Sequence, residues 1–68
     1  MDFNIACEQE EDDRWLAEVL EIPGVMAYGD TAQKAMVKAE ALALRVIAER
    51  LENEECSAMP IHITLAAA

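Results

Sequence analysis

The chain has 68 residues and a formal net charge of −9, from fourteen Asp and Glu against five Lys and Arg. This length fits a single domain, residues 1–68, and so acidic a surface argues against binding nucleic acid phosphates or anionic lipid. The hydrophobic fraction of 54% excludes a disordered acidic tail. The composition therefore predicts a small folded domain for which a basic protein is a better partner than nucleic acid or a membrane.

The first predicted element is a strand over Asp2–Glu8, because apolar and polar residues alternate there with a period of two. Its predicted buried face consists of Phe3, Ile5 and Cys7. The acidic run from Glu8 to Arg14 contains Asp, which favours turns, so we expect it to form the tip of a hairpin. A second strand follows over Trp15–Leu20. Its predicted core face consists of Trp15, Ala17 and Val19.

A tight turn is predicted where Pro23 precedes Gly24. Proline sets φ at the first central position of a type II turn, and glycine accepts the positive φ needed at the second. The chain then re-enters the sheet as a short third strand over Val25–Tyr28, which we expect Gly29 to end.

One long helix is predicted from Asp30 or Thr31, either of which can cap it, to about Asn53. Apolar residues occupy an unusually wide arc of its circumference. We expect one seam to pack on the sheet: Ala32, Ala35, Ala39, Leu42, Ala43 and Val46, bordered by Met36 and Ile47. A second seam lies too far round the helix for the same sheet face to cover it. It contains Val37, Ala41, Leu44, Ala48 and Leu51.

A last strand is predicted from Pro60 and the alternation between Ile61 and Leu65. A helical crossover joins parallel strands, so this strand should lie beside and parallel to the first. The predicted fold class is α+β in the order β-β-β-α-β, with a mixed four-stranded sheet of order 3-2-1-4 and one helix on one face. We expect the opposite sheet face to be open in a single copy.

Side chains suited to catalysis are few and poorly arranged. His62 is the one histidine, and nothing in the local sequence activates a Ser or Cys nucleophile near it. The consecutive acidic residues would point in alternating directions instead of converging on a metal ion. Cys7 and Cys56 match neither a zinc spacing nor a disulfide framework, so we interpret both as reduced thiols. We therefore predict that the protein is not an enzyme and has no catalytic residues, metal or cofactor.

The compartment is predicted from two features of the chain. Its beginning has no basic segment leading into an apolar run, and no stretch of about 18 apolar residues could span a bilayer. We expect a cytoplasmic protein.

Acidic residues are concentrated in the first part of the chain. Residues 1–30 hold nine acids and one base, a net of −8, whereas residues 31–68 hold five acids and four bases, a net of −1. This acidic patch could attract a basic partner, or it could be a solvated loop that keeps sheet edges from pairing. The candidate partner-binding residues are Glu8, Glu10, Glu11, Asp12 and Asp13.

Apolar residues that one copy cannot bury form a second candidate surface. We predict a homo-oligomer, a dimer or a tetramer, with contacts through the helix or through the open sheet face and third-strand edge. The candidate interface residues are Val37, Leu44, Leu51, Leu16, Leu20 and Tyr28. The alternative is that the helix curves over the sheet and the chain before Pro60 covers the helical seam.

Four stretches carry a family resemblance: Trp15-Leu16-Ala17-Glu18-Val19, Glu21-Ile22-Pro23-Gly24-Val25, Gly29-Asp30-Thr31, and Ala35-Met36 with Ala39 behind them. Over roughly residues 2–65 the chain resembles the HicB-like antitoxin family. The resemblance implies a partial RNase H-like fold, dimers or higher oligomers, and neutralisation of a small basic mRNA-cleaving toxin of the HicA type. It also allows a solitary homo-oligomeric regulatory or assembly protein with no cognate toxin.

The chain departs from that family pattern at three places. Leu20 stands where a proline is frequent, and Lys34 replaces the glutamate that would complete a capping box with Thr31. Many family members also carry a C-terminal DNA-binding helix-turn-helix or ribbon-helix-helix, whereas this sequence stops at Ala68. We therefore expect no direct nucleic acid binding by this chain.

Overall fold

The computed structural model describes residues 2–53 and 62–67, which form four strands and one helix. These elements are β1 (Asp2–Gln9), β2 (Trp15–Val19), β3 (Met26–Gly29), α1 (Ala32–Glu52) and β4 (His62–Ala67). The sheet has the order β3-β2-β1-β4, with β1 antiparallel to β2 and parallel to β4. The predicted α+β class, element order and strand order are confirmed.

The core lies between one face of the sheet and α1. The pleat of β1 buries alternate residues, and the register of the hairpin places Ala17 opposite Cys7 and Val19 opposite Ile5 on the same face. Helix residues Ala35, Ala39 and Ala43 pack against them. Trp15 is partly buried against this core, so the predicted core faces of β1 and β2 are confirmed.

The strand boundaries differ from the sequence prediction by one or two residues. β1 extends to Gln9 because Glu8 and Gln9 pair with β2, which shortens the hairpin tip to residues 10–14. β2 ends at Val19, and Leu20 belongs to the following turn. The Leu20 amide still donates to the Asn4 carbonyl of β1 at 3.1 Å, and the turn closes with the Ile22 amide donating to the Val19 carbonyl at 3.2 Å.

The third strand is displaced by one residue from its predicted position. It begins at Met26 because Val25 belongs to the preceding turn, where its amide donates to the Ile22 carbonyl at 3.1 Å. Gly24 has a φ of +87°, as a type II turn requires, so the predicted turn is confirmed. The strand ends at Gly29, which pairs with Trp15 as its last residue, so β3 extends one residue beyond the predicted Tyr28.

Thr31 is the residue that caps α1, and its Oγ1 accepts a hydrogen bond from the Lys34 amide at 3.1 Å. The predicted sheet-facing seam is confirmed, with one correction. Met36 and Ile47 are buried core residues instead of border residues. The small alanines bring α1 close to the sheet, which allows these two longer side chains on its flank to reach the core.

β4 completes the sheet on the far side of β1. Asp2 pairs with His62 and Ile5 with Leu65 in a parallel ladder, as the crossover rule predicts. The predicted contributions of Pro60 and Ile61 lie outside the described residues.

Candidate interaction surfaces

The hairpin tip, residues 10–14, is a compact turn closed by two backbone hydrogen bonds. The Glu10 amide donates to the Arg14 carbonyl at 2.7 Å, and the Asp13 amide donates to the Glu10 carbonyl at 3.1 Å. Asp13 has a left-handed φ of +69°, a conformation that Asp adopts more readily than most residues. The turn therefore gives a run of consecutive carboxylates a defined backbone at the surface.

Arg14 ties the tip to the open face of the sheet. Its Nε donates to Asp12 Oδ2 at 2.7 Å, and its guanidinium carbon lies 4.4 Å from the centre of the Tyr28 ring. The side-chain hydrogen bond from Arg14, with one from its backbone amide, lowers the pKa of Asp12. Asp12 is therefore ionised at neutral pH. We did not predict this role of Arg14 from the sequence, because its partner Tyr28 lies fourteen residues away.

The predicted acidic patch is brought together only in part. An open depression of about 450 Å³ is lined by Glu10, Glu11, Asp12, Arg14 and Tyr28. Asp13 is exposed in the same turn but does not line the depression. Glu8 lies on β1, opposite Leu16, and is therefore a residue of the open sheet face and not of the tip. Of the predicted patch, three acids therefore line one depression at the tip, and Glu8 lies outside the tip.

The open sheet face carries apolar residues next to the tip. The strand register places Leu16 between Glu8 and Tyr28, and Glu18 beside Met26. Met26 and Tyr28 are exposed, whereas Leu16 is half-buried. The sequence prediction omitted Met26, although it lies two residues before Tyr28 on the same face of a strand, a spacing that identifies it. Leu20 is also exposed and lies in the turn after β2.

The second seam of α1 is exposed to solvent in the single chain. The exposed fractions are 54% for Val37, 48% for Leu44 and 36% for Leu51. Ala41 is half-buried and Ala48 exposed between them. We call these five residues the α1 stripe. The described part of the chain leaves its three largest side chains substantially accessible.

Glu21 forms a structural contact on the first strand. Its carboxylate accepts hydrogen bonds from the backbone amide and the side-chain amide of Asn4, both at 2.7 Å. These bonds, the backbone one first, lower the pKa of Glu21. The contact fastens the β2–β3 turn to β1, so we interpret this acid as structural.

The residues considered for catalysis are widely separated. His62 Nδ1 lies 3.3 Å from Asp2 Oδ1 at an exposed position, whereas Cys7 is buried in the core. Burial raises the pKa of the Cys7 thiol, which favours its unreactive protonated form. Cys56 lies outside the described residues. Within residues 2–53 and 62–67, no three His, Cys, Asp or Glu side chains form a group that could hold a metal ion.

Comparison with protein-family models, with curated proteins and with solved structures finds no match to this chain. None of the helical residues that the structure describes forms a segment long and apolar enough to cross a membrane. We therefore infer its function from the surfaces of the chain itself. Three stand out: the acidic tip, the open sheet face beside it, and the α1 stripe.

Proposed function

We propose that the chain is a HicB-like antitoxin, a non-catalytic protein that binds a small basic mRNA-cleaving toxin of the HicA type. The observation that carries this proposal is the hairpin tip, where Glu10, Glu11 and Asp12 line a depression together with the Tyr28 ring. The bound antitoxin would cover the basic surface with which the toxin holds RNA. Inhibition would then be steric and electrostatic.

The charge distribution supports a basic partner. The first thirty residues carry a net charge of −8, and the tip contributes four of their nine acids in consecutive positions, Glu10 to Asp13. The electric field of such a cluster accelerates association with a cationic protein. Its carboxylates would also compete with RNA phosphates for the same Lys and Arg side chains. The effect weakens as salt is added, because the Debye length shortens.

The contact between Arg14 and Tyr28 supports the inferred mode of binding. Within the chain, the ring of Tyr28 and the carboxylate of Asp12 already hold a guanidinium between them. Arginine is well suited to such a combination of an aromatic face and a carboxylate. An arginine of the partner would bind these two groups by displacing Arg14, or would pair with Glu10 and Glu11, which line the same depression.

The fold is compatible with the family resemblance. The element order β-β-β-α-β agrees with the order that the HicB-like resemblance implies. The turn with Pro23 and Gly24 and the helix start at Thr31 lie within the stretches that carry the resemblance. We include the partial RNase H-like architecture and a cytoplasmic location in the proposal.

Affinity purification of the chain from its native cells tests the proposal. We expect it to recover a small, strongly basic protein that cleaves mRNA and that loses this activity when the chain is added back. Recovery of no such protein, or of one whose cleavage of RNA continues in the complex, would contradict the proposal.

Charge-neutralising variants test the role of the tip once the toxin is in hand. The tip variant combines Glu10→Gln, Glu11→Gln, Asp12→Asn and Asp13→Asn. The control removes the same four charges elsewhere, through Asp30→Asn, Glu40→Gln, Glu49→Gln and Glu52→Gln. At low salt we expect the tip variant to weaken toxin binding by at least about tenfold, and the control by much less. Equal losses for the two variants would contradict a specific role for the tip.

A second candidate function is a solitary homo-oligomeric regulatory or assembly protein with no toxin. The exposed α1 stripe favours it, because an apolar stripe of this kind is typical of a contact between subunits. The two candidates are separated by the gene neighbourhood and by purification. A chain that co-purifies only with copies of itself, and whose gene has no small basic reading frame beside it, would favour the second function.

A further inference from the structure

β3 is an edge strand of the sheet, and its pairing with β2 shows which of its backbone groups face outward. The Val19 amide of β2 donates to the Val25 carbonyl at 2.9 Å. Successive residues of an antiparallel strand direct their amide and carbonyl groups alternately towards the partner strand and away from it. Val25 and Ala27 therefore face β2, whereas Met26 and Tyr28 direct their backbone groups outward. Such an edge can accept a further strand.

Lys38 of α1 covers part of this edge. Its Nζ atom donates a hydrogen bond to the outward carbonyl oxygen of Tyr28 at 3.3 Å. The aliphatic stem of a lysine can reach from a helix past the edge of a sheet while its charge stays in water, and Lys38 is exposed. The ammonium therefore occupies the position that an amide of an added strand would need. A further strand could pair fully with β3 only after displacing Lys38.

The charge of Lys38 makes it difficult to displace. A charged donor forms a stronger hydrogen bond with a carbonyl than a neutral amide does, so the amide of an added strand is a poor replacement. Two copies that paired edge to edge through β3 would have to break both lysine bonds and would bring two ammonium groups close together. Lysine on an edge strand is a recurrent means by which proteins prevent such pairing.

We propose that Lys38 closes the β3 edge against strand addition. The device is built into the fold, because the lysine is on α1 and the carbonyl that it caps is on β3. The closed edge is removed from the candidate contacts between subunits, which leaves the helix and the open sheet face. This inference goes beyond the proposed function, because it involves no toxin and is tested with the chain alone.

Substitution of Lys38 tests the cap, with sedimentation velocity of the full chain as the measurement. Lys38→Met keeps a long side chain and removes the charged donor. We expect it to form larger species at about tenfold lower concentration than the original chain does, because pairing through β3 no longer breaks two lysine bonds. Lys34→Met is the matched control, since the Nζ atom of Lys34 lies 3.9 Å from the Asp30 carboxylate and is not bonded to the edge. It should associate as the original chain does.

Amide hydrogen exchange, read residue by residue by NMR, locates the contact. In the dilute original chain, the outward amide of Met26 should exchange fast and the amide of Ala27, which faces β2, should exchange slowly. In Lys38→Met at high concentration, the exchange of the Met26 amide should slow by about tenfold or more, because the amide then pairs with an added strand. Lys38→Arg keeps a charged donor and should leave this amide fast.

Any of three results would overturn the proposal. The first is equal association of Lys38→Met and Lys34→Met. The second is association of Lys38→Met that leaves the exchange of the Met26 amide unchanged, which would place the contact on another surface. The third is slow exchange of that amide in the dilute original chain, which would mean that the edge is already paired. Circular dichroism verifies the fold of each variant, and both lysines are exposed, so their substitution leaves the core intact.

Discussion

At the scale of single residues, Gly29 shows how closely α1 approaches the sheet. A Cβ atom at this position would lie 2.6 Å from the backbone nitrogen of Ala35 and 3.0 Å from the carbonyl carbon of Lys34. Both are backbone atoms of the first helical turn, so they cannot rotate away as a side chain can. Gly29 has a hydrogen where other residues have a Cβ atom, and this allows β3 and the start of α1 to be in direct contact.

We predict that Gly29→Ala lowers the free energy of unfolding by about 1–3 kcal/mol, because the helix must move off the sheet. Urea denaturation followed by circular dichroism measures this. Gly24→Asn is the control, since Gly24 has open space around its missing side chain and Asn tolerates the left-handed φ. If Gly29→Ala were as stable as the original chain, α1 would have to lie farther from β3 than described.

Glu21 links stability to pH. The hydrogen bonds from Asn4 hold its pKa below the ordinary value of 4.5, so the folded state binds the proton less tightly than the unfolded state does. Its contribution is therefore fully present above that ordinary pKa and is lost as the pH falls through the lower pKa of the folded state.

We predict that Glu21→Gln lowers the Tm by a few degrees at neutral pH, and that the gap between the two proteins narrows as the pH falls from about 5 to 3. Thermal melts at a series of pH values measure the gap. Glu18→Gln serves as the control, because no hydrogen bond to the Glu18 carboxylate is found among the described residues. A gap that stays constant with pH would show that the Asn4 contact does not depend on ionisation.

At the scale of elements, the contact between α1 and the sheet depends on small side chains. Ala35, Ala39 and Ala43 are completely buried and lie on one line of the helix. The distance between the helix and the sheet is set by the size of the side chains between them. A larger residue at the centre of this line therefore cannot fit unless the helix moves away from the sheet.

Ala39→Leu is predicted to lower the free energy of unfolding by about 1–3 kcal/mol, through overpacking. Ala48→Leu makes the same change on the outward side of the helix and should cost little when measured at a dilution that keeps the chain monomeric. Urea denaturation of both variants provides the comparison. Equal costs at the two positions would mean that α1 does not face the sheet with this line.

The helix illustrates what periodicity can and cannot predict. Its approximate bounds follow from local chemistry, because no Gly or Pro interrupts the span. The capping residue was narrowed only to Asp30 or Thr31, since both side chains can accept the free amides, and the structure has Thr31 in that role. The burial of Met36 and Ile47 could not be predicted in the same way. A helical projection gives the direction of each side chain but not the distance between the helix and the sheet, which decides how far each side chain is buried.

At the scale of the whole molecule, the sheet order was predictable because few topologies are open to a β-β-β-α-β chain with a parallel crossover. The composition of the tip surface was only partly predictable. The acidic run is local in sequence, but its meeting with Tyr28 depends on the strand register that sets Leu16 opposite Tyr28. Register is a tertiary property, and a shift of one residue would have placed Tyr28 on the other face.

The pairing of β1 with β4 has a consequence for how the protein is made. Asp2 and His62 are partners in the ladder although sixty positions separate them, so β1 can pair with its second neighbour only after β4 has left the ribosome. Until then, a nascent chain that contains only the hairpin and the helix exposes the edge of β1 whose backbone groups later pair with β4. Completion of this fold therefore requires the synthesis of β4, and the growing chain is most vulnerable to mispairing just before it.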